Sequence, residues 1–312
     1  DIYSMRVSGE DEMVFEWEPE AGLAVISDEF NQFQPGACPD GNGGFKVVWQ
    51  AESENGFPEI DIRAQWFNAE GERLWGESGV VVSDAPGLQS SPVVLPNSDG
   101  HILLIWIDFK TGGNEIRGQR LNENGESLWD EAGVIVVLGM SQNALNHIML
   151  SRGNGDLAIV WLDGRFSSNG QFPYIQICCN GENNPEIQLP TNGIPLLSPE
   201  INGGVLSIQA EQSSDDAIIV VWEDHRRGQS YSTYAQKISW EGEILWGEEG
   251  VKCADMAFDQ ERPFICSDGA GGAIIAYRYP TNDEDFDIYM QRLDEAGNRL
   301  WDDEGFLLTS NN

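Results

Sequence analysis

Three stretches place a tryptophan, a carboxylate and a cation at one spacing: Trp106-Ile107-Asp108-Phe109-Lys110, Trp161-Leu162-Asp163-Gly164-Arg165 and Trp222-Glu223-Asp224-His225-Arg226. Two chemistries are open to this WxDx(K/R) pattern. In one, each Asp caps its own loop and pairs with the neighbouring cation, a brace worth at most about 1 kcal/mol at a solvated surface. In the other, Asp108, Lys110, Asp163, Arg165, Asp224 and Arg226 gather into a rim able to hold a sugar or a peptide terminus. Trp49 and Tyr277 end comparable segments, with Ser53 and Thr281 at the basic position. A second acidic knot runs from Asn282 to Asp287, and Asp283, Asp285 and Asp287 are its candidate cation ligands. Calcium takes roughly six to eight oxygens, and this loop lacks the glycine and distal glutamate of an EF-hand.

Other catalytic signals are absent. GxSxG, HExxH, GxxxxGK and a GxGxxG between strand and helix do not occur. His101, His147 and His225 fall in different repeats, where turn and strand-end positions account for them. None of Cys38, Cys178, Cys179, Cys253 and Cys266 shows paired CxxC zinc spacing. Cys253 and Cys266 lie on successive expected strands at a separation that suits a disulfide; separate buried thiols fit equally well.

The elements that must position these residues follow from internal repetition. The last stretch, Asp287 to Leu308, reads DIYMQRLDEAGNRLWDDEGFLL: an alternating strand, an Asx-Gly turn, a second apolar segment with Trp301, then Gly305. Related hairpins start near residues 1, 61, 115, 172 and 232. A different hairpin, with a Gly-rich or Asx-rich turn, ends at Trp49, Trp106, Trp161, Trp222 and Tyr277. These aromatics, and the glycines at 22, 79, 133, 193, 250 and 305, recur every 54 to 61 residues. Each period holds four short strands, a to d, and no helix. That pattern predicts one all-β domain over residues 1–312, a β-propeller of four-stranded blades.

Five a-b hairpins and six c-d hairpins make five full repeats plus an N-terminal half repeat, so a five- or six-bladed propeller is expected. Nine of the eleven tryptophans fall on two repeat positions, as pegs between blades. The repeated glutamines Gln65, Gln119, Gln176, Gln236 and Gln291 are expected to satisfy backbone groups between blades. The unit from 172 to 231 is the least regular, with Leu189 in place of Trp and Cys178-Cys179 in place of Arg-Leu, as remodelling for contact would produce.

Composition narrows the function. With 52 acidic against 17 basic residues the net charge is -35, which repels phosphates and anionic lipids, so nucleic acid is excluded as a partner. No apolar run is long enough to span a membrane as a helix, and no membrane insertion is expected. The near-identity of the repeats argues against catalysis, which needs different residues at different blades.

The motif WxDxR, a variable loop, DIYAQRLDxxGxxLWxxxGVxV and PxIxxDGxGGxIIAW together resemble the repeats of secreted and cell-surface proteins of Bacteroidetes and related bacteria. The likeness is most specific at Asp61 to Val82, Glu115 to Val136 and Asp287 to Leu308. It implies an extracellular place, commonly reached by type IX secretion, although no sorting domain follows Ser310, and it implies no settled activity. The c-d hairpin is also similar to the tryptophan-docking motif of quinoprotein propellers. The expected function is a non-enzymatic binding or scaffold module in a cell-surface or secreted assembly, with a protein or glycan partner. The alternatives are a glycan-active hydrolase or lyase with carboxylates at the channel mouth, and a calcium-stabilised structural subunit. Calcium is the one ion expected; no other cofactor is.

Overall fold

The computed structural model describes residues 2–8, 14–15, 22–26, 30–53, 56–110, 113–130, 132–141, 145–165, 170–179, 184–198, 203–226, 230–257, 259–281 and 285–309. Asp283, named above as a candidate cation ligand, lies outside them. The described chain is all-β. At its start, Ile2–Ser4 (β1) pairs with Leu23–Ile26 (β4), and Val7–Ser8 (β2) with Val14–Phe15 (β3). Five antiparallel sheets follow in sequence order. Gln32–Pro39, Phe45–Glu52, Ile60–Phe67 and Val80–Ser83 (β5 to β8) form the first. Gln89–Pro96, Ile102–Asp108, Asn114–Leu121 and Val134–Met140 (β9 to β12) form the second. Leu145–Ser151, Leu157–Asp163, Phe172–Cys179, Glu186–Ile187 and Ile194–Pro195 (β13 to β17) form the third. Val205–Gln212, Ile218–Asp224, Ser232–Ile238 and Val251–Lys252 (β18 to β21) form the fourth, and Glu261–Ser267, Ala273–Pro280, Phe286–Leu293 and Phe306–Thr309 (β22 to β25) the fifth. These meanders are β-propeller blades, the fold class the repeat predicts.

The contacts divide the chain into two compact units. One comprises Asp1–Gly139, Ser151–Asp156 and Asn180–Glu186; the other comprises Met140–Leu150, Leu157–Cys179 and Ile187–Asn312. Within the first, one core joins Val48, Ile62 and Trp75 of the first sheet to Val94, Ile102 and Trp106 of the second. Within the other, Trp246 and Cys253 of the fourth repeat pack with Ala273, Ile275 and Tyr277 of the fifth sheet.

Strand b is buried on both faces in β10, β14 and β19, which explains its continuous apolar runs such as Ile102-Leu103-Leu104-Ile105-Trp106. Trp49, Trp106, Trp161 and Trp222 all sit there, fully buried. The second tryptophan set links successive sheets through its indole: Trp75 Nε1 donates to Glu123 O and Trp246 Nε1 to Glu295 O, each at 2.9 Å. Leu189 fills the equivalent place, since a Cβ on Gly242 would meet its Cδ2, just as one on Gly297 would meet Trp246.

Three expectations need correction. The register pairs Leu157 with Cys178 as it pairs Ile102 with Leu121, so Ile177-Cys178, not Cys178-Cys179, replaces Arg-Leu. The repeated glutamines do satisfy backbone groups, but inside their own sheet: Gln119 Nε2 donates to Asp130 O, and its Oε1 accepts from Arg120 N and Trp129 N. The same three bonds recur at Gln65, Gln236 and Gln291. Cys253 and Cys266 are free thiols, not a bridge. Cys253 points into the core between the fourth and fifth sheets, whereas Cys266 is exposed.

Candidate functional site

The three WxDx(K/R) stretches end β10, β14 and β19, and alternation sends the tryptophan and the aspartate two residues later to the same face. In the third sheet, Trp161 Nε1 donates to Asp163 Oδ2 at 3.2 Å, Arg165 N to Oδ1 at 2.9 Å and Arg165 Nε to Oδ2 at 2.8 Å. Arg165 Nη1 continues to Asn192 O at 2.9 Å, and its guanidinium lies 4.9 Å from the Tyr174 ring. The fourth sheet repeats this with Trp222, Asp224 and Arg226 at 2.8, 2.8 and 2.6 Å. Its Arg226 Nη1 reaches Glu249 O at 2.9 Å, over the Tyr234 ring at 4.2 Å. Both carboxylates are buried.

The second sheet is built differently. Asp108 is buried, with Lys110 Nζ 2.9 Å and Arg117 Nε 3.0 Å from its Oδ2. Neither contact is aligned as a hydrogen bond, and the Trp106 indole does not donate to the carboxylate. Arg117 comes from strand c, where the other two sheets have Tyr174 and Tyr234. Its Nη1 donates to Ala132 O and Gly133 O, both at 3.0 Å, and its Nε to Glu115 Oε2 at 3.2 Å. Asp108 and Glu115 are direct cross-strand partners, so two carboxylates share one guanidinium.

One target is common to these sheets: the carbonyl just before the repeat glycine, at Ala132, Asn192 and Glu249. In the fifth sheet the Tyr277 hydroxyl supplies the donor, to Glu304 O at 2.9 Å. The glycine is required there, because a Cβ on Gly193 would lie 2.3 Å from Trp161 Cη2, and its φ is +70°. The sequence showed the Trp, Asp and loop cation. It did not expose Arg117, Glu115 or the stacking tyrosines as parts of the same brace, although an Arg or Tyr two residues before the repeated glutamine was a readable column.

The electrostatics match a brace. Burial pushes the Asp163 carboxyl up, but the Arg165 hydrogen bonds and charge, with the Trp161 indole, outweigh it and hold the group below the usual carboxylate range. An acid so held is ionised at neutral pH and is poorly placed to donate a proton. The Asp163 and Asp224 clusters stay tied to their own sheets. Backbone bonds from Val205 N to Gln171 O and from His225 N to Gly204 O connect the loops around them. Asp108 and Lys110 belong to the other compact unit. Asp285 and Asp287 flank the start of β24, and Thr281 donates its N–H and hydroxyl to the Asp285 carbonyl, which closes the loop. Among the described residues no three His, Cys, Asp or Glu side chains converge as a cation set.

No protein-family model matches the chain, and no curated protein does. Solved structures similar to it include a protein of unknown function from Dyadobacter fermentans, at 13% identity, 87% of this chain, 81% of that one and a TM-score of 0.48. An α-L-arabinanase of Penicillium chrysogenum is similar at 11% identity, with 91% and 84% of the two chains covered and a TM-score of 0.48. A glycosyl hydrolase from Bacteroides ovatus is similar at 12% identity, with 90% and 87% covered and a TM-score of 0.39.

Proposed function

We propose that this chain is an extracellular, non-enzymatic binding or assembly module whose interface is the outer face of its fifth sheet, with a protein partner. The uncovered state of that face carries the reading. Strand b of the fifth sheet alternates between buried and half-exposed residues, where β10, β14 and β19 are buried throughout. Phe264, Phe306 and Leu308 are 65%, 55% and 51% exposed, whereas the equivalents of Leu308, Val82 and Cys253, are 2% and 0% exposed. A contiguous apolar sheet face of this kind marks an interaction site. An outer-surface location, as in the Bacteroidetes repeat proteins the sequence resembles, and export by their type IX route belong to the same proposal. So does calcium at the loop before β24 as a stabiliser, which an unchanged Tm on chelation would remove. Sedimentation of the protein as isolated from its source tests the main reading. A complex above 34.5 kDa that Phe264→Ser with Leu308→Asp releases supports it; a lone chain overturns it.

A glycan-active hydrolase or lyase is the second reading, and the Asp108-Glu115 pair sharing Arg117 is the observation that favours it, since paired carboxylates serve acid-base cleavage. The similar solved structures include an arabinanase and a glycosyl hydrolase. New reducing or unsaturated ends from arabinan or a polyuronate, lost in a folded Glu115→Gln variant, support this reading; their absence removes it.

A further inference from the structure

We infer that the second sheet binds one buried water molecule between Trp106, Asp108 and Gln89, where the third and fourth sheets have a direct bond from indole to carboxylate. The inference depends on neither functional reading above. All three side chains are fully buried. Trp106 Nε1, Asp108 Oδ1 and Gln89 Oε1 nevertheless have no hydrogen-bond partner in the protein. Buried polar atoms are nearly always paired, and ordered water does the pairing where protein groups do not reach.

The register brings these side chains together. Trp106 and Asp108 point to one face of β10, and Asp108 and Gln89 are direct cross-strand partners, so all three share that face. The indole keeps the place it has in the other sheets: a Cβ on Gly133 would lie 2.4 Å from Trp106 Cη2, as one on Gly193 would lie 2.3 Å from Trp161 Cη2. Its N–H therefore faces the position that the carboxylate takes there. What differs is the company of the carboxylate. Lys110 Nζ and Arg117 Nε lie 2.9 and 3.0 Å from Asp108 Oδ2. Arg117 stands opposite Trp106, where Trp161 and Trp222 have Tyr174 and Tyr234. The two cations hold the carboxylate off the indole. Gln89 does not supply the donor that Asp108 Oδ1 lacks. Its Nε2 donates to Ala85 O at 2.6 Å and Gly87 O at 3.4 Å, which orients the amide and leaves Oε1 as a second acceptor.

The balance of donors and acceptors selects the occupant. One N–H and two oxygens are to be satisfied together, so the occupant accepts one hydrogen bond and donates two. Water does both. A metal ion or an ammonium group has no lone pair for the indole and would stand beside two cations. An anion has no proton for the oxygens, and a ligand hydroxyl has one proton for two of them.

Water-selective NOE and ROE spectra of the deuterated, nitrogen-15-labelled chain test this, with the indole signals assigned by triple resonance. A water cross-peak at the Trp106 indole proton is expected, with the ROE sign of dipolar contact and not of proton exchange. None is expected at Trp161 or Trp222, whose indoles donate directly to Asp163 and Asp224. Lys110→Arg with Arg117→Tyr rebuilds in the second sheet the arrangement of the third and fourth, and should abolish the Trp106 peak while the other indole signals stay in place. No peak at Trp106 in the unaltered chain, equal peaks at all three indoles, or a peak that survives the double substitution overturns the inference. So does a Trp106 signal that moves when CaCl2 replaces NaCl at constant ionic strength, since a cation would then be the occupant.

Discussion

At the scale of single residues, the Trp-Asp-Arg cluster is a buried ion pair whose carboxylate accepts from an indole, a backbone N–H and a guanidinium. Removing one charge leaves the other uncompensated, at a loss typical of broken buried pairs. Asp163→Asn is expected to destabilise the protein by about 3 kcal/mol at pH 7, read from urea unfolding. The folded pKa of Asp163 is depressed, so its contribution is present above the unfolded value, about 3.9. It is lost as pH falls through the lower folded value. The gap between wild type and variant should therefore be constant from neutral pH down to about 5 and shrink below about 4. A gap that closes near pH 6 would assign the effect to another group. The repeated glutamine makes a parallel case without charge. Gln119→Leu removes the partner of Arg120 N, Trp129 N and Asp130 O, and a loss of about 2 kcal/mol is expected from one buried and two partly buried backbone groups.

At the scale of elements, the turn into strand d is the most constrained backbone of the repeat. Gly193 combines a φ of +70° with contact distances to Trp161 and Ile175 O that exclude a Cβ. Gly247, at φ +80°, faces open space. Gly193→Ala should cost about 3 kcal/mol and Gly247→Ala about 1, the latter from backbone strain alone; equal urea midpoints for the two variants would refute the steric part. The contrast also shows which parts of the sheets were legible in sequence. Glycines, Asx turns and strand b tryptophans recur in type and spacing, so four-stranded repeats could be read directly. The brace could not, because its donor to one carbonyl is Arg117 from strand c, Arg165 or Arg226 from a loop, or the Tyr277 hydroxyl. Side chains that converge from different strands leave no single column in the repeat. The glutamine column was visible, but whether its bonds run within a sheet or between sheets depends on the turn after strand c, where the Leu121–Ser127 bridge and the Leu128 N to Arg120 O bond bring Trp129 N back to that strand.

At the scale of the whole molecule, a net charge of -35 acts on stability through self-repulsion. The visible cations are mostly committed: Arg6, Arg120, Lys237, Arg292 and Arg299 each bridge turns or loops. They are too few to offset the acidic surface, so screening must do it. Raising NaCl from about 10 to about 150 mM shortens the screening length from ~30 to ~8 Å. That relief is expected to raise Tm by roughly 1.5–3 °C, the shift that goes with about 1–2 kcal/mol in a chain of this size. A flat salt response would mean that bound cations already neutralise part of the surface. Chelation at low salt then separates the two cases: a fall in Tm points to a divalent ion at an acidic loop, such as the one before β24, and no change points to diffuse counterions. The same field bears on assembly. A basic partner on the fifth-sheet face would associate more slowly as salt rises.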